Sequence, residues 1–144
     1  MTENVKINRG LTGIYFERSG VSHIDGSKGE FLAKFDYEPL NLLGTNIGIH
    51  DAGQAARLIQ LGDNYGMDAI SLGVTISYAL SYNERHPDET ILNGAAFGDY
   101  EKIRELIIQA GEGKLPEIGQ GSMRLSQSLD ETSYAYHVKG LEIA

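Results

Sequence analysis

Residues 63–73 read DNYGMDAISLG and set two carboxylates, Asp63 and Asp68, five positions apart across Gly66. Asp68 stands where a helix should begin, and an aspartate there accepts a hydrogen bond from the first free backbone N–H groups. Gly66 fits a helix end, where the chain turns through a left-handed conformation that only glycine adopts without strain. Capping therefore accounts for Gly66 and Asp68 but not for Asp63. That acid falls in the last turn of the preceding helix, where the negative end of the macrodipole disfavours a carboxylate. A carboxylate in that position calls for a partner with N–H donors. A planar edge carrying an amino group beside a ring N–H suits it, since two parallel charge-assisted hydrogen bonds fit one carboxylate.

Two helices must hold this turn. In HDAGQAARLIQLGDNYG, Asp51 with Gln54 three residues later reads as a capping box. Ala52, Ala55, Ala56 and Ile59, with Leu58, form an apolar stripe at helical spacing. Asp68 opens AISLGVTISYALSYNER, which must stop before Pro87 and whose apolar positions nearly encircle it, marking the most buried helix. A third helix is expected from about Tyr100 to Ala110, with Ile103, Leu106, Ile107 and Ala110 inward. KLPEIGQGSMRLSQSL predicts a fourth, opened by Pro116 and weakened by Gly119 and Gly121. The tail SYAYHVKGLEIA alternates as an extended segment. Before the helices, TGIYFER and EFLAKFDY are aromatic and β-leaning, with the turn-rich IDGSKGE between them. The expected fold is all-α and multihelical: an extended or β-hairpin arm over residues 1–36, then a helical domain over 37–144.

Composition narrows the function. The 144 residues suit one domain with a modest core. A net charge of −8 argues against nucleic acid and anionic membrane as partners. No run approaches the length of a bilayer span, and MTENVKINRG lacks the apolar core of a signal peptide, so a cytoplasmic location is expected. With no cysteine, the chain has no thiolate for an iron–sulfur cluster or a zinc site. GEGKLPEIGQGS lacks the G-K-[ST] ending of a phosphate loop, and His23, His50 and His86 show no ligand spacing.

Four segments, in order, resemble the tungstopterin aldehyde:ferredoxin oxidoreductase family. DNYGMDAISLG is similar to its D-x-x-G-L-D-x-I-S-x-G signature, and DYEPLNLLGTNIGIHD to its E-Y-E-T-x-x-x-L-G-S-N-x-G-I-x-D segment. FGDYEKIRELI resembles its W-G-D stretch, and YAYHVKGLEIA its Y-A-M-H-V-K-G-L-E-L-P segment. The resemblance runs over residues 37–144 and implies a multihelical fold. It also implies a pterin edge held by Asp63, Gly66, Met67, Asp68 and Ala69. The glutamate and histidine that the family places near its metal, for proton transfer in aldehyde oxidation, match Glu38 and His137. A glutamate beside an apolar cluster can exchange a proton near neutrality, and histidine titrates there unaided. From the residues alone, Glu38 equally reads as a first-turn helix acid and His137 as a backbone-bonded histidine. Lys139 and Glu142 read as a solvated pair.

The departures matter too. The family's C-x-x-C-x-x-x-C upstream of the E-Y-E segment would fall near Gly13, Phe16 and Gly20, none of them cysteine. Neither its N-terminal β domain nor the domain with its second pterin motif lies within the matched segments. The resemblance therefore implies a fragment, split subunit or degenerate paralogue sharing a tungsten- or molybdenum-pterin with missing domains, without an iron–sulfur cluster of its own. The alternative is a non-catalytic binding or interaction module on the same scaffold. Either reading implies a homo-oligomer or a partner subunit, with the apolar stretches LEIA and GIYF as contact surfaces.

Overall fold

The structure is a computed structural model that describes residues 9–10, 13–14, 21–22, 31–33 and 36–143. Among these, short strands come first: β1 (Arg9–Gly10) pairs antiparallel with β2 (Gly13–Ile14), and β3 (Val21–Ser22) with β4 (Phe31–Ala33). The hairpin around IDGSKGE is thus built on Val21–Ser22, while the described part of TGIYFER folds back on β1. Phe16, Gly20, the Tyr15–Phe16 part of GIYF, and Ala144 lie outside the described residues.

Six helices follow: α1 (Tyr37–Leu42), α2 (Ala52–Asn64), α3 (Ala69–Arg85), α4 (Tyr100–Gly111), α5 (Pro116–Gly119) and α6 (Ser122–Ser128). Antiparallel strands β5 (His137–Val138) and β6 (Leu141–Glu142) complete the chain. The fold is multihelical, as the periodicity predicts. Among the described residues no helix is long and apolar enough to cross a membrane.

The core explains the arrangement. α2 buries Ala55, Ala56, Leu58 and Ile59, and α4 buries Ile103, Leu106 and Ile107, each along one stripe. α3 lies between neighbours and buries residues on every side, from Ala69 and Leu72 to Ile76, Leu80 and Asn83. Gly73 lets α1 sit directly on α3, because a Cβ there would come within 2.7 Å of the Leu42 backbone. α3 ends where expected, with His86 out of the helical region at φ −125° and ψ 66° ahead of Pro87. The loop beyond it hangs on buried Asn83, whose amide donates to the carbonyls of Ile91 (3.1 Å) and Ala95 (2.8 Å) and accepts from the Ile91 N–H (2.7 Å).

The expected fourth helix is two. Gly121, at φ 85°, separates α5 from α6, and a Cβ there would stand 2.7 Å from the carboxylate of Glu142. The side chain that breaks the helix comes from a distant strand.

Candidate functional site

Asp63, Gly66, Met67, Asp68 and Ala69 form the α2–α3 turn. Gly66, at φ 69°, donates its N–H to the Asp63 carbonyl (2.9 Å), and Met67 donates to the Gly62 carbonyl (3.0 Å). That pair of bonds is a Schellman C-terminus. Asp68 then caps α3, one carboxylate oxygen accepting from the Ser71 N–H at 2.8 Å. Met67 packs against the main core and Ala69 is buried, so the turn is anchored from below. The Tyr65 ring lies over Gly111 at the end of α4, so close that a Cβ there would run into it. The Asp63 carboxylate remains exposed, with no hydrogen-bond partner among the described residues. Partial burial by its surroundings pushes its carboxyl above the ordinary aspartate value.

His137 belongs to β5. Lys139 (φ 53°) and Gly140 (φ 89°) link β5 to β6, both with the left-handed backbone of a type I′ turn. The Gly140 N–H points to His137 Nδ1 at 3.3 Å. Nδ1 therefore accepts, and in the neutral ring the proton sits on Nε2. Across the ladder His137 pairs with Glu142. Glu142 is buried rather than solvated and forms no pair with exposed Lys139. Its carboxylate accepts from the Ser122 N–H (2.8 Å) and hydroxyl (3.1 Å), and caps α6 from outside that helix. Burial alone would raise its pKa. The Ser122 N–H, the Ser71 hydroxyl, its own backbone N–H and the Ser122 hydroxyl outweigh that and hold it below the ordinary glutamate value.

Glu38 is an exposed first-turn acid of α1 with no hydrogen-bond partner among the described residues. One helical turn further on, Asn41 and Leu42 line a cavity of about 300 Å³, together with Asn46, Val74, Ser77, Tyr78, Ser81, Tyr134, Tyr136 and Ile143. None of the seven sequence-named residues lines it. Tyr136 and Ile143 continue the β5–β6 ladder, the Ile143 N–H reaching the Tyr136 carbonyl at 3.4 Å. Because side chains alternate along a strand, Tyr136 and Ile143 take one face of the hairpin, while His137 and Glu142 take the other. His137 stands on the same hairpin face as Glu142, which meets α6.

A further cluster escaped sequence reasoning. Arg85 grips Glu131 with two hydrogen bonds, Nε to Oε1 at 3.2 Å and Nη2 to Oε2 at 2.7 Å. His86 Nε2 is 3.1 Å from the same Oε1. The guanidinium also stacks 3.9 Å from the Tyr134 ring centroid, which fixes that wall of the cavity. Arg85 holds the Glu131 carboxyl below its ordinary value, against the effect of burial, with help from His86. No local pattern announces it, since Glu131 lies 46 residues from Arg85.

Residues 17–144 match the family described as "Aldehyde ferredoxin oxidoreductase, domains 2 & 3". An aliphatic sulfonate oxidoreductase, WOR-like subunit, of Pyrococcus furiosus is 30% identical over 126 residues, which cover 81% of this chain and 20% of that protein. Tungsten-containing aldehyde ferredoxin oxidoreductases of Pyrococcus abyssi and Pyrococcus furiosus are each 32% identical over 75% of this chain and 19% of theirs. The chain spans about a fifth of the length of these relatives.

Proposed function

Because the chain belongs to the aldehyde ferredoxin oxidoreductase family, we propose that it supplies the helical portion of a tungsten- or molybdenum-pterin oxidoreductase and holds one pterin edge at its α2–α3 turn. One observation carries this reading: Asp63 is an exposed carboxylate at the unfavourable end of a helix dipole, with no hydrogen-bond partner among the described residues. The chemistry of the turn fits a pterin edge. Asp63 offers two oxygens to an amino group and a ring N–H. Beside it, the first backbone N–H groups of α3 have no intrahelical acceptors, and Asp68 spends one oxygen on Ser71.

When bound, the pterin-held metal would supply the redox chemistry that takes an aldehyde to a carboxylic acid. The chain's own part is binding and proton handling. Asp63 orients the pterin edge, and buried Ala69 with half-buried Met67 keeps the turn from yielding. His137, with Nδ1 occupied by the Gly140 N–H, gives or takes a proton at Nε2. Glu38 does so from the exposed first turn of α1. With no cysteine here, electrons leave through a cluster on another polypeptide segment or subunit, which is the partner this reading requires.

The test is direct titration with a reduced pterin. Asp63→Asn should bind more than about tenfold more weakly than wild type, since a charged bidentate pair becomes a mismatched neutral one. Equal affinities would sink the reading. A second reading, a non-catalytic interaction module, draws on the hairpin surface: Tyr136, Val138, Leu141 and Ile143 are 71%, 58%, 72% and 51% exposed. Apolar groups gathered in this way mark interfaces. Light scattering at high concentration should then show an oligomer that Leu141→Asp disperses.

A further inference from the structure

The cavity between α1, α3 and residues 134–143 carries no charged side chain. Its polar lining is Asn41, Asn46, Ser77, Ser81 and three tyrosines, and its apolar floor is Leu42, Val74 and Ile143. The hydrogen bonds behind the lining give it a direction. The Asn41 carboxamide oxygen accepts from the Thr45 hydroxyl at 2.7 Å, and the Asn46 oxygen from the Ser77 hydroxyl at 3.5 Å. Ser81 Oγ accepts from Arg85 Nη1 at 2.7 Å, so its own O–H is left to donate elsewhere. The Tyr78 hydroxyl is turned outward, donating to the Glu131 carbonyl at 3.1 Å. Each carboxamide oxygen thus already accepts from a protein hydroxyl, while neither NH₂ group has an acceptor among the described residues. Among the same residues no buried side-chain polar atom lacks a partner, so these NH₂ groups are open to solvent or ligand.

We infer that this cavity binds a small uncharged molecule through a carbonyl or amide oxygen, with the NH₂ groups of Asn41 and Asn46 and the hydroxyl of Ser81 as donors. A volume of about 300 Å³ is at the lower end of small-molecule sites, roughly 300–1,000 Å³. The charge of the molecule follows from the surroundings. The one guanidinium behind the wall, Arg85, is already matched by Glu131, and the whole chain carries −8. An anion would be desolvated without a cation to meet it, and an ammonium would be desolvated without a carboxylate in the lining to meet it. Leu42, Val74 and Ile143 receive the apolar body of the ligand. The site uses none of Asp63, Asp68, Glu38 and His137, so it stands or falls separately from the pterin reading.

The experiment follows the side-chain amide resonances of Asn41 and Asn46 in the nitrogen-labelled full chain during titration with three molecules of similar shape. These are methyl isopropyl ketone, isobutyrate and isobutylammonium. The ketone should shift both resonances saturably, isobutyrate should bind roughly tenfold or more weakly, and isobutylammonium should leave them unmoved. Asn46→Asp replaces the donor by an acceptor and should weaken the ketone by about fivefold or more. If that variant does not fold, the three titrations of the wild type decide alone. Shifts that stay linear in concentration, or isobutyrate or isobutylammonium binding as tightly as the ketone, would overturn the inference.

Discussion

The α2–α3 turn and the β5–β6 hairpin both bring a carboxylate to the open N–H groups at the start of a helix, by different routes. At the turn, Asp68 caps the helix it precedes and reaches Ser71 three residues on, as Asp51 reaches Gln54 and Asp99 reaches Lys102. At the hairpin, Glu142 caps α6 from 20 residues away and is buried in doing so. A local cap is a short-range choice that the helix makes by itself and that solvent can partly replace. A remote cap forms only once the tertiary structure exists, and water cannot stand in for it in the buried site. The same carboxylate chemistry is therefore worth more, and is less forgiving, at the hairpin.

Removing each cap measures the difference, and the hairpin should show the largest effect. Glu142→Ala strands the Ser122 N–H and hydroxyl in a buried site and should cost about 2–3 kcal/mol by urea denaturation. Hydrogen exchange should rise in α6 and in the β5–β6 ladder together, because one side chain ties them. Asp68→Ala should cost about 1 kcal/mol, since water reaches the N–H groups it abandons. If the two variants cost the same, burial adds nothing to the remote cap and the comparison fails.

What could be read in advance divides along the same line. Asp51, Asp68 and Gly66 act within a few residues of themselves, so their roles at α2 and α3 are visible in the chain. The division of the expected fourth helix at Gly121 was not, because the group demanding that backbone is Glu142, across a ladder that no local pattern announces. Glu142 itself reads as a surface acid from its neighbours Leu141 and Ile143. Asp63 was legible through an electrostatic oddity, a carboxylate against a helix dipole. Glu38 and His137 came from resemblance alone; the structure sets Glu38 in the exposed first turn of α1 and His137 across the ladder from Glu142. The cavity was hardest to see. Its donors come from α1, the Thr45–Ile47 turn and α3, which no local pattern gathers.

The hairpin also holds strain that the α2–α3 turn avoids. Gly66 takes the left-handed position of the turn, whereas Lys139 takes the first such position of the type I′ turn, at φ 53°. Asparagine visits that region more easily than lysine, so Lys139→Asn should stabilise the protein by about 0.5–1 kcal/mol. The gain should appear as a higher melting temperature with His137 resonances unchanged. A loss would mean that the lysine makes a contact worth more than its backbone strain.

The smallest effect comes from the other acid of the turn, and its sign is the informative part. Asp63→Asn removes a charge from the unfavourable end of α2 and should stabilise by about 0.3 kcal/mol, the low end of the range because the group is exposed and screened. Its pH dependence should oppose that of Glu142. Burial raises the folded-state pKa of Asp63, so the folded protein keeps this proton longer than the unfolded chain does. Stability then falls as pH rises from the ordinary aspartate value through the raised one. The penalty is complete above that window and absent below it. Burial also opposes ionisation of Glu142, but its hydrogen bonds prevail and lower the folded-state pKa. Its contribution is complete above the ordinary glutamate value and is lost as pH falls through the lowered one. Urea midpoints of wild type, Asp63→Asn and Glu142→Gln through the acid range should therefore give two difference curves, a gain and a loss at neutral pH. Both should close toward zero as pH falls. An Asp63→Asn gain that persists unchanged in acid would show that charge is not its origin, and the argument for a donor-bearing partner at Asp63 would lose its electrostatic footing.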